Sequence, residues 1–369
     1  MAETVDPSTN DVAPQTAAAA AASPGEDAAG TQDDENTNSI AADEAETVHQ
    51  RIHRSMRLRS RYTASLSSSV VDYPMEYGRR YHAYRAGSYI LPNDEIEIER
   101  LDMAHAMMVK AIGSRLFLAP LEKEKIHRIL DIGTGTGIWA VEMGDIFDNA
   151  EVIGTDLSAI QSEWVPPNVK FEIDDVESPW VQDEKFDYIF CRFMAASIAD
   201  WPKLIENIYN NLNPGGWAEF HEMDPEIYSQ DGTYTKDHAT WPWNQAFLQT
   251  MNSIGRDPCP GPKVDNWVRN QGFENVFHEV YKNPLGPWPK DPYYKDLGTL
   301  NLAQMLEGLE GFTLRVFCGV LGRTREEVLV EVAKVRKEMQ TRAYHGLYDI
   351  HVVYGQKPLH PETSHLPGQ

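Results

Sequence analysis

The chain has 369 residues, enough for one large domain or two small ones, and a formal net charge of −23. Residues 1–50 hold eleven Asp or Glu and no Lys or Arg, which leaves −12 for the remainder and argues against broad nonspecific binding to nucleic acid. Cys191, Cys259 and Cys318 are odd in number and far apart, so neither a disulfide framework nor a zinc site is expected.

No apolar stretch approaches a membrane span, and the acidic N-terminus fits neither a secretory signal nor a mitochondrial presequence. A soluble intracellular protein, cytoplasmic or nuclear, is expected. The first 50 residues are rich in Ala, Asp, Glu, Ser and Thr, and predict a disordered acidic tail. Residues 51–72 form a basic linker carrying Arg51, Arg54, Arg57, Arg59 and Arg61. It reads as a solvated linker, with a nuclear import signal as the alternative.

Residues 73–125 predict an N-terminal lid and helix. Tyr77, Tyr81, Tyr84 and Tyr89 stand among Arg79, Arg80 and Arg85, more aromatic and basic groups than a plain linker carries. Lying before the first strand, this segment can cross the carboxyl edge of a sheet as a lid. Alternatively, its rings pack the following helix onto the sheet. Pro92-Asn93-Asp94 starts that helix, and Ile98, Leu101, Met103, His105, Met108 and Ile112 mark its apolar side.

Residues 127–132 read as a buried strand and residues 138–147 as a helix, so Gly133-Thr134-Gly135-Thr136-Gly137 falls in the turn between them. Residues 151–155 form the next strand and end beside Asp156, a carboxylate placed to accept from a ribose diol. A dinucleotide would set a pyrophosphate on the helix N-terminus and favours GxGxxG. Here the spacing is GxGxG, and Asp131 precedes the first glycine. That carboxylate repels a pyrophosphate but suits the ammonium end of S-adenosylmethionine (SAM), so SAM is the expected cofactor.

Further strands are expected at residues 169–173, 186–191 and 217–222, with a helix at 203–212 stopped by Asn213-Pro214-Gly215-Gly216. After the third strand, Asp175, ahead of Asp174, can accept from an adenine amino group while Val176 packs on the ring. A solvated acidic loop is the alternative. Leu157 follows Asp156 and belongs to the same cofactor edge. Arg192, ending the fourth strand, can contact the cofactor carboxylate or the acceptor, or form a structural bridge. Cys191 reads as a buried small residue. His221 and Glu222, at the predicted end of the fifth strand, are the candidate bases, although a structural role is favoured for each. Beyond Asp224 come a polar loop, helices at about 241–254, 263–270, 291–321 and 326–339, and strands at 273–281 and 348–354. Trp241, Trp243 and Trp288 can line an acceptor pocket, or simply pack in the core.

These residues resemble the class I SAM-dependent methyltransferases, and more narrowly the fungal LaeA-like methyltransferase family. The matching pieces are Tyr81-His82-Ala83-Tyr84-Arg85-Ala86-Gly87-Ser88-Tyr89, Leu91-Pro92-Asn93-Asp94-Glu95 with Arg100-Leu101-Asp102, and residues 130–139. Val165-Pro166-Pro167-Asn168 with Phe171, Glu177-Ser178-Pro179-Trp180, Trp201-Pro202 and residues 213–222 extend the match over about residues 75–358. The resemblance implies an α/β, Rossmann-like, seven-stranded sheet with a reversed last strand over residues 126–358, followed by a short C-terminal tail at 359–369. It also implies SAM bound by Asp131, Gly133, Thr134, Gly135 and Gly137 at the methionyl part, Asp156 at the ribose and Asp175 at the adenine. Members work in fungal secondary metabolism. Some tailor small molecules, and others resemble the nuclear regulator that joins velvet-type protein partners. In the regulatory branch Cys often precedes the Asp that starts the long helix; here Asn93 does, which favours tailoring of a small-molecule substrate.

Overall fold

The computed structural model describes residues 71–85, 89–180 and 184–359. The acidic tail, the basic patch and the tail beyond Leu359 lie outside the described residues, as do Gly87 and Ser88 of the tyrosine-rich segment. Two short strands, β1 (Met75–Glu76) and β2 (Arg79–Arg80), pair antiparallel across Tyr77 and Gly78, both at positive φ. Such left-handed pairs close tight hairpins.

Helix α1 (Glu95–Ala111) begins at Asp94, whose Oδ1 accepts from the Glu97 N–H at 3.1 Å. Arg79 grips the same carboxylate, Nε to Oδ2 at 2.5 Å and Nη2 to Oδ1 at 2.8 Å. Burial pushes the Asp94 carboxyl up, but the Arg79 hydrogen bonds and charge outweigh it and hold it below the usual range. This clamp fixes the hairpin to the start of α1.

The main sheet contains β3 (Arg128–Ile132), β4 (Glu151–Asp156), β5 (Val169–Ile173), β6 (Phe186–Arg192), β7 (Leu212–Tyr228), β8 (Glu274–Pro284) and β9 (Leu347–Gln356). Their spatial order is β5-β4-β3-β6-β7-β9-β8. The first five pair in parallel, and β9 runs antiparallel to both of its neighbours. This is the expected seven-stranded Rossmann-like sheet with a reversed last strand.

Helices α2 (Ile138–Ile146), α3 (Trp201–Asn211), α4 (Thr240–Ser253), α5 (Gly261–Gln271), α6 (Pro292–Leu314) and α7 (Arg325–Gln340) complete the fold. On one face of the sheet, Ile189, Ala218, Phe220 and Val353 pack with Trp201 and Ile205 of α3 and Val264 and Val268 of α5. On the other face, Trp139 of α2 stacks flat on Phe190 at 3.9 Å. A second apolar centre joins α4, α6 and α7 through Trp243, Met251, Leu309, Val332 and Met339.

One strand differs in a way that affects function. The fifth strand was expected at 217–222, but β7 begins at Leu212 and runs on to Tyr228. Its early start takes in Pro214-Gly215-Gly216, where a Cβ on Gly216 would meet the Asn213 and Asp187 carbonyl oxygens at 2.9 and 3.0 Å. Its late end passes a register shift between Asp224 and Tyr228. Polar and proline residues there carry no alternation, so the sequence pattern stops before the strand does.

Candidate functional site

The chain leaves β3 through three glycines at positive φ: +66° at Gly133, +57° at Gly135 and +81° at Gly137. Packing within the protein explains two of them. A Cβ on Gly133 would stand 2.5 Å from Met194 Sδ, and one on Gly137 would stand 2.3 Å from the Phe171 ring. At Gly135 the nearest atom would be Leu101 Cδ1, at an ordinary 3.5 Å. Gly135 therefore borders open space that a ligand can fill.

That space is a cleft of about 1050 Å³, lined by the glycine turn, Asp156-Leu157-Ser158, residues 174–177 and Arg192-Phe193-Met194. Tyr89, Asn93 and Leu101 from the N-terminal segment close its other side. Asp156 is oriented by two backbone donors, Gly135 N–H to Oδ2 and Ser158 N–H to Oδ1, each at 2.9 Å. Burial pushes it up to about 6, against these donors. Asp131 and Gly137 stand behind the turn and are not part of the cleft wall. Asp131 accepts from Thr134 Oγ1 at 2.6 Å, and burial pushes it up to about 7.

At the far end Asp175 accepts from the Glu177 N–H at 3.0 Å and pairs with Arg85 Nη1 at 2.9 Å. Val176 lines the cleft and packs against the core beneath. Arg192 donates from Nη2 to His105 Nδ1 at 3.1 Å, which leaves the His105 Nε2–H to donate to Glu142 at 3.1 Å. Burial lowers Arg192 to about 10, with Asp131 and Glu142 opposing, so it stays charged at neutral pH. Its guanidinium lies 5.3 Å from the Phe193 ring centre. The candidate bridge of Arg192 is thus a relay to the side of the cleft.

A second cavity of about 1020 Å³ adjoins this cleft and shares Tyr89, Leu101, Phe193 and Ser197 with it. Above it, the buried ring of His82 lies 2.8 Å from the Tyr84 carbonyl oxygen through Nδ1 and 2.9 Å from that of Tyr89 through Nε2. His82 therefore ties together the two ends of the tyrosine-rich turn.

A family model described as a methyltransferase domain matches residues 103–278. The methyltransferase pytC of Aspergillus terreus is 46% identical over 295 residues, covering 80% of this chain and 91% of that protein. The secondary metabolism regulator LAE1 of Cochliobolus heterostrophus is 36% identical over 291 residues, covering 77% and 94%. The probable methyltransferase tdiE of Emericella nidulans is 28% identical over 302 residues, covering 81% and 95%. The chain belongs to the LaeA-like methyltransferase family. Its cofactor is SAM, and the open space beside Gly135, the oriented Asp156 carboxylate and the absence of a phosphate-binding charge pattern fit that cofactor.

Several site residues of this methyltransferase fall elsewhere than expected. His221 and Glu222 do not reach the cleft; both are fully buried. The reason is the length of β7: six residues follow Glu222, so the pair stands in mid-strand, not at a free carboxyl edge. Glu222 accepts from the Met194 and Ala195 N–H groups at 2.9 and 3.0 Å and holds up the loop after β6. Burial pushes it up to about 8. His221 Nε2 meets Glu219 Oε1 at 2.6 Å, and Glu219 also takes the N–H groups of Leu118 and Ala119. Both are structural anchors.

The tryptophans divide. Trp243 lines the second cavity, with its indole N–H on Thr313 Oγ1 at 2.9 Å. Trp241 lies outside it, with Lys236 Nζ 5.4 Å from the ring centre, and Trp288 stacks on His345. Tyr89 borders both cavities, whereas Tyr84 borders neither and lies against Arg85. Phe193 and Met194 line the site at the carboxyl end of β6, the edge that faces the crevice, and Asn93, Leu101 and Ser197 line it without having been expected there. Asn93 and Leu101 stand within matching motif pieces, but only the folded path of α1 and the loop after β6 brings these three in.

Proposed function

We propose that this methyltransferase methylates a small molecule of fungal secondary metabolism, held in the second cavity. The observation that carries this reading is that cavity itself, largely apolar and continuous with the cofactor cleft through Tyr89, Leu101, Phe193 and Ser197.

Bound SAM supplies an electrophilic methyl group on a sulfonium. Around it, Asp156 accepts from the ribose hydroxyls, Asp175 accepts from the adenine amino group, and Val176 and Leu157 pack on the ring and the sugar. Asp131 and Arg192 set the charge at the methionyl end, Thr134 orients Asp131, the bare backbone of Gly135 lets the ligand approach, and Gly133 leaves room for Met194. Gly137 acts by letting Phe171 pack beneath the turn. Tyr89 divides the cleft from the acceptor space and excludes water, which favours alignment of the two reactants. Arg85, reaching Asp175 across the cleft mouth, supports a strap role for the segment that carries it.

The other reading is a regulatory one, in which the protein acts chiefly by binding velvet-type partners. It draws on relatives named as regulators. Among the described residues no helix is long and apolar enough to cross a membrane, and the three cysteines are free. These features support an intracellular location, cytoplasmic or nuclear. Tritium-labelled SAM added to the full chain and a fungal culture extract tests the choice. Label in the small-molecule fraction is expected; label in no fraction, with velvet-type proteins recovered on the immobilised chain, would overturn it.

A further inference from the structure

The wall of the second cavity narrows what the methyltransferase can methylate. It is assembled from α1, the loop after β6, the end of β7, α4 and α6. Arg100, Gln304, Tyr348 and Asn244 of this wall are already engaged within the protein. Arg100, only 7% exposed, gives Nε and Nη2 to Glu97 at 3.0 and 2.7 Å and Nη1 to Gln304 at 3.1 Å. Gln304 donates to Asn301 Oδ1 at 2.9 Å, and the Tyr348 hydroxyl donates to the same oxygen at 2.7 Å. Asn244 accepts from the Ile227 N–H and donates to the Pro225 carbonyl. What remains to face the space is mainly apolar, from Leu101, Met107, Phe247, Met305 and Phe312.

Among the described residues, no Asp, Glu or His lines this cavity. At the junction with the cofactor cleft, where methyl transfer must occur, the hydroxyls among the described residues are those of Ser197, which donates to the Ala195 carbonyl at 3.3 Å, and Tyr89, whose proton burial holds more tightly, so neither is a ready base. The acidic residues of the cofactor cleft are Asp156, Asp174, Asp175 and Glu177, which belong to its ribose and adenine end.

Resting on the methyl-transfer reading above, we infer that the acceptor is an uncharged, largely apolar small molecule whose nucleophile is an acidic hydroxyl, a phenol or an enol. A permanently charged acceptor would lose its hydration here and find no counter-group in the wall, since Arg100 is already neutralised by Glu97. An ammonium or an alkyl alcohol needs a base to free its lone pair, and the wall offers neither carboxylate nor imidazole. An acidic hydroxyl needs no protein base: it gives its proton to water before it is sealed in, and the adjacent sulfonium offsets the burial cost of the oxyanion that remains. Its oxyanion attacks the methyl carbon, the oxygen–carbon bond forms, and the carbon–sulfur electron pair leaves with sulfur. The oxyanion and the sulfonium cancel each other's charge, and a neutral ether and a neutral thioether result.

Two measurements on the full chain test this. The first is fluorescence titration with the neutral probe 1-aminoanthracene in the absence of SAM. Binding at least tenfold weaker in Phe247→Glu and in Met305→Glu is expected, with the SAM affinity of both variants unchanged as the check on folding. Equal probe binding in wild type and in variants that still bind SAM would overturn the apolar assignment. The second offers tritium-labelled SAM and the enzyme to a fungal culture extract divided by solvent partition. Acceptor activity is expected in the fraction that moves from organic solvent into aqueous alkali, with the labelled product recovered as a neutral compound. Activity in the basic or the water-soluble fraction, or in none while SAM is bound, would overturn the acidic-hydroxyl assignment. Failure to bind SAM at all would instead strike the methyltransferase reading.

Discussion

The two halves of the site are built in different ways. The cofactor half uses short stretches that directly follow parallel strands: 133–137 after β3, 156–158 after β4, 174–177 after β5 and 192–194 after β6. Its position follows from sheet topology, because ligand-facing residues collect at the carboxyl ends of parallel strands. The acceptor half gathers residues from α1, β7, α4 and α6, and its central hydrogen bond joins Arg100 to Gln304, 204 positions apart. The first half can be kept while the second is repacked, which lets one cofactor platform serve acceptors of different shape.

The sharpest way to break the cofactor half alone is at Gly135. A phenylalanine there points into open cleft, so Gly135→Phe is expected to fold but to lose SAM binding below detection by calorimetric titration. Its left-handed backbone adds strain of about 1–2 kcal/mol, which a melting curve will register. Gly137→Ala should behave oppositely. Its methyl would strike the Phe171 ring, so stability falls first and cofactor binding only as a consequence.

The acceptor half breaks through its buried ion pair. Arg100→Met leaves Glu97 buried without its partner, and a loss of about 3–5 kcal/mol is expected in chemical denaturation. Adding Glu97→Leu to that variant should recover most of the loss. No recovery would mean that Arg100 acts through Gln304 and Asn301 instead.

A smaller effect separates the two carboxylates of the cofactor half. Asp156 is pushed up to about 6 and Asp131 up to about 7, both first by burial. Ionised Asp156 makes charge-assisted hydrogen bonds to the ribose and ionised Asp131, behind the turn, adds negative charge at the methionyl end, so SAM affinity should be greatest above about pH 7 and fall as pH drops through both values. Asp156→Asn keeps one acceptor oxygen but removes the charge. About 10- to 100-fold weaker SAM binding is expected at neutral pH, from the 1.5–3 kcal/mol of a charged hydrogen bond. The step near pH 6 should vanish from its calorimetric profile while the upper one remains.

How much could be read beforehand follows the same division. The parallel strands declared themselves as apolar runs, and the glycine turn and Asp156 followed from where those runs ended. The helix containing Val328, Val332, Val335 and Met339 was equally plain, because burial on one face leaves a period, whereas the reversal of the last strand came from the family resemblance alone. His221 and Glu222 were misplaced because β7 continues through Asp224 and Pro225, where polarity hides the strand. Trp241 and Trp243 are two residues apart in a helix, so only one can face the cavity, and composition cannot say which. Ser197 carries no pattern at all, and Asn93, although within a matching motif, is not marked as a wall residue; tertiary packing alone brings them to the site.

The least effect is expected at the outer edge, where the tyrosine-rich segment meets the cofactor half. Tyr84 touches neither cavity; its ring lies 5.8 Å from the Arg85 guanidinium, which in turn pairs with Asp175. Arg85 is half-exposed, so that pair is weak and screened by salt. Tyr84→Ala should therefore weaken SAM binding no more than about fivefold, and high salt should erase the difference. Tyr89→Ala opens the wall between cofactor and acceptor, and should lower methyl transfer further while leaving the melting temperature close to wild type. Equal losses in the two variants, unchanged by salt, would show that the whole segment moves as one body over the cleft. A loss only at Tyr89 would confine its role to the partition between the two cavities.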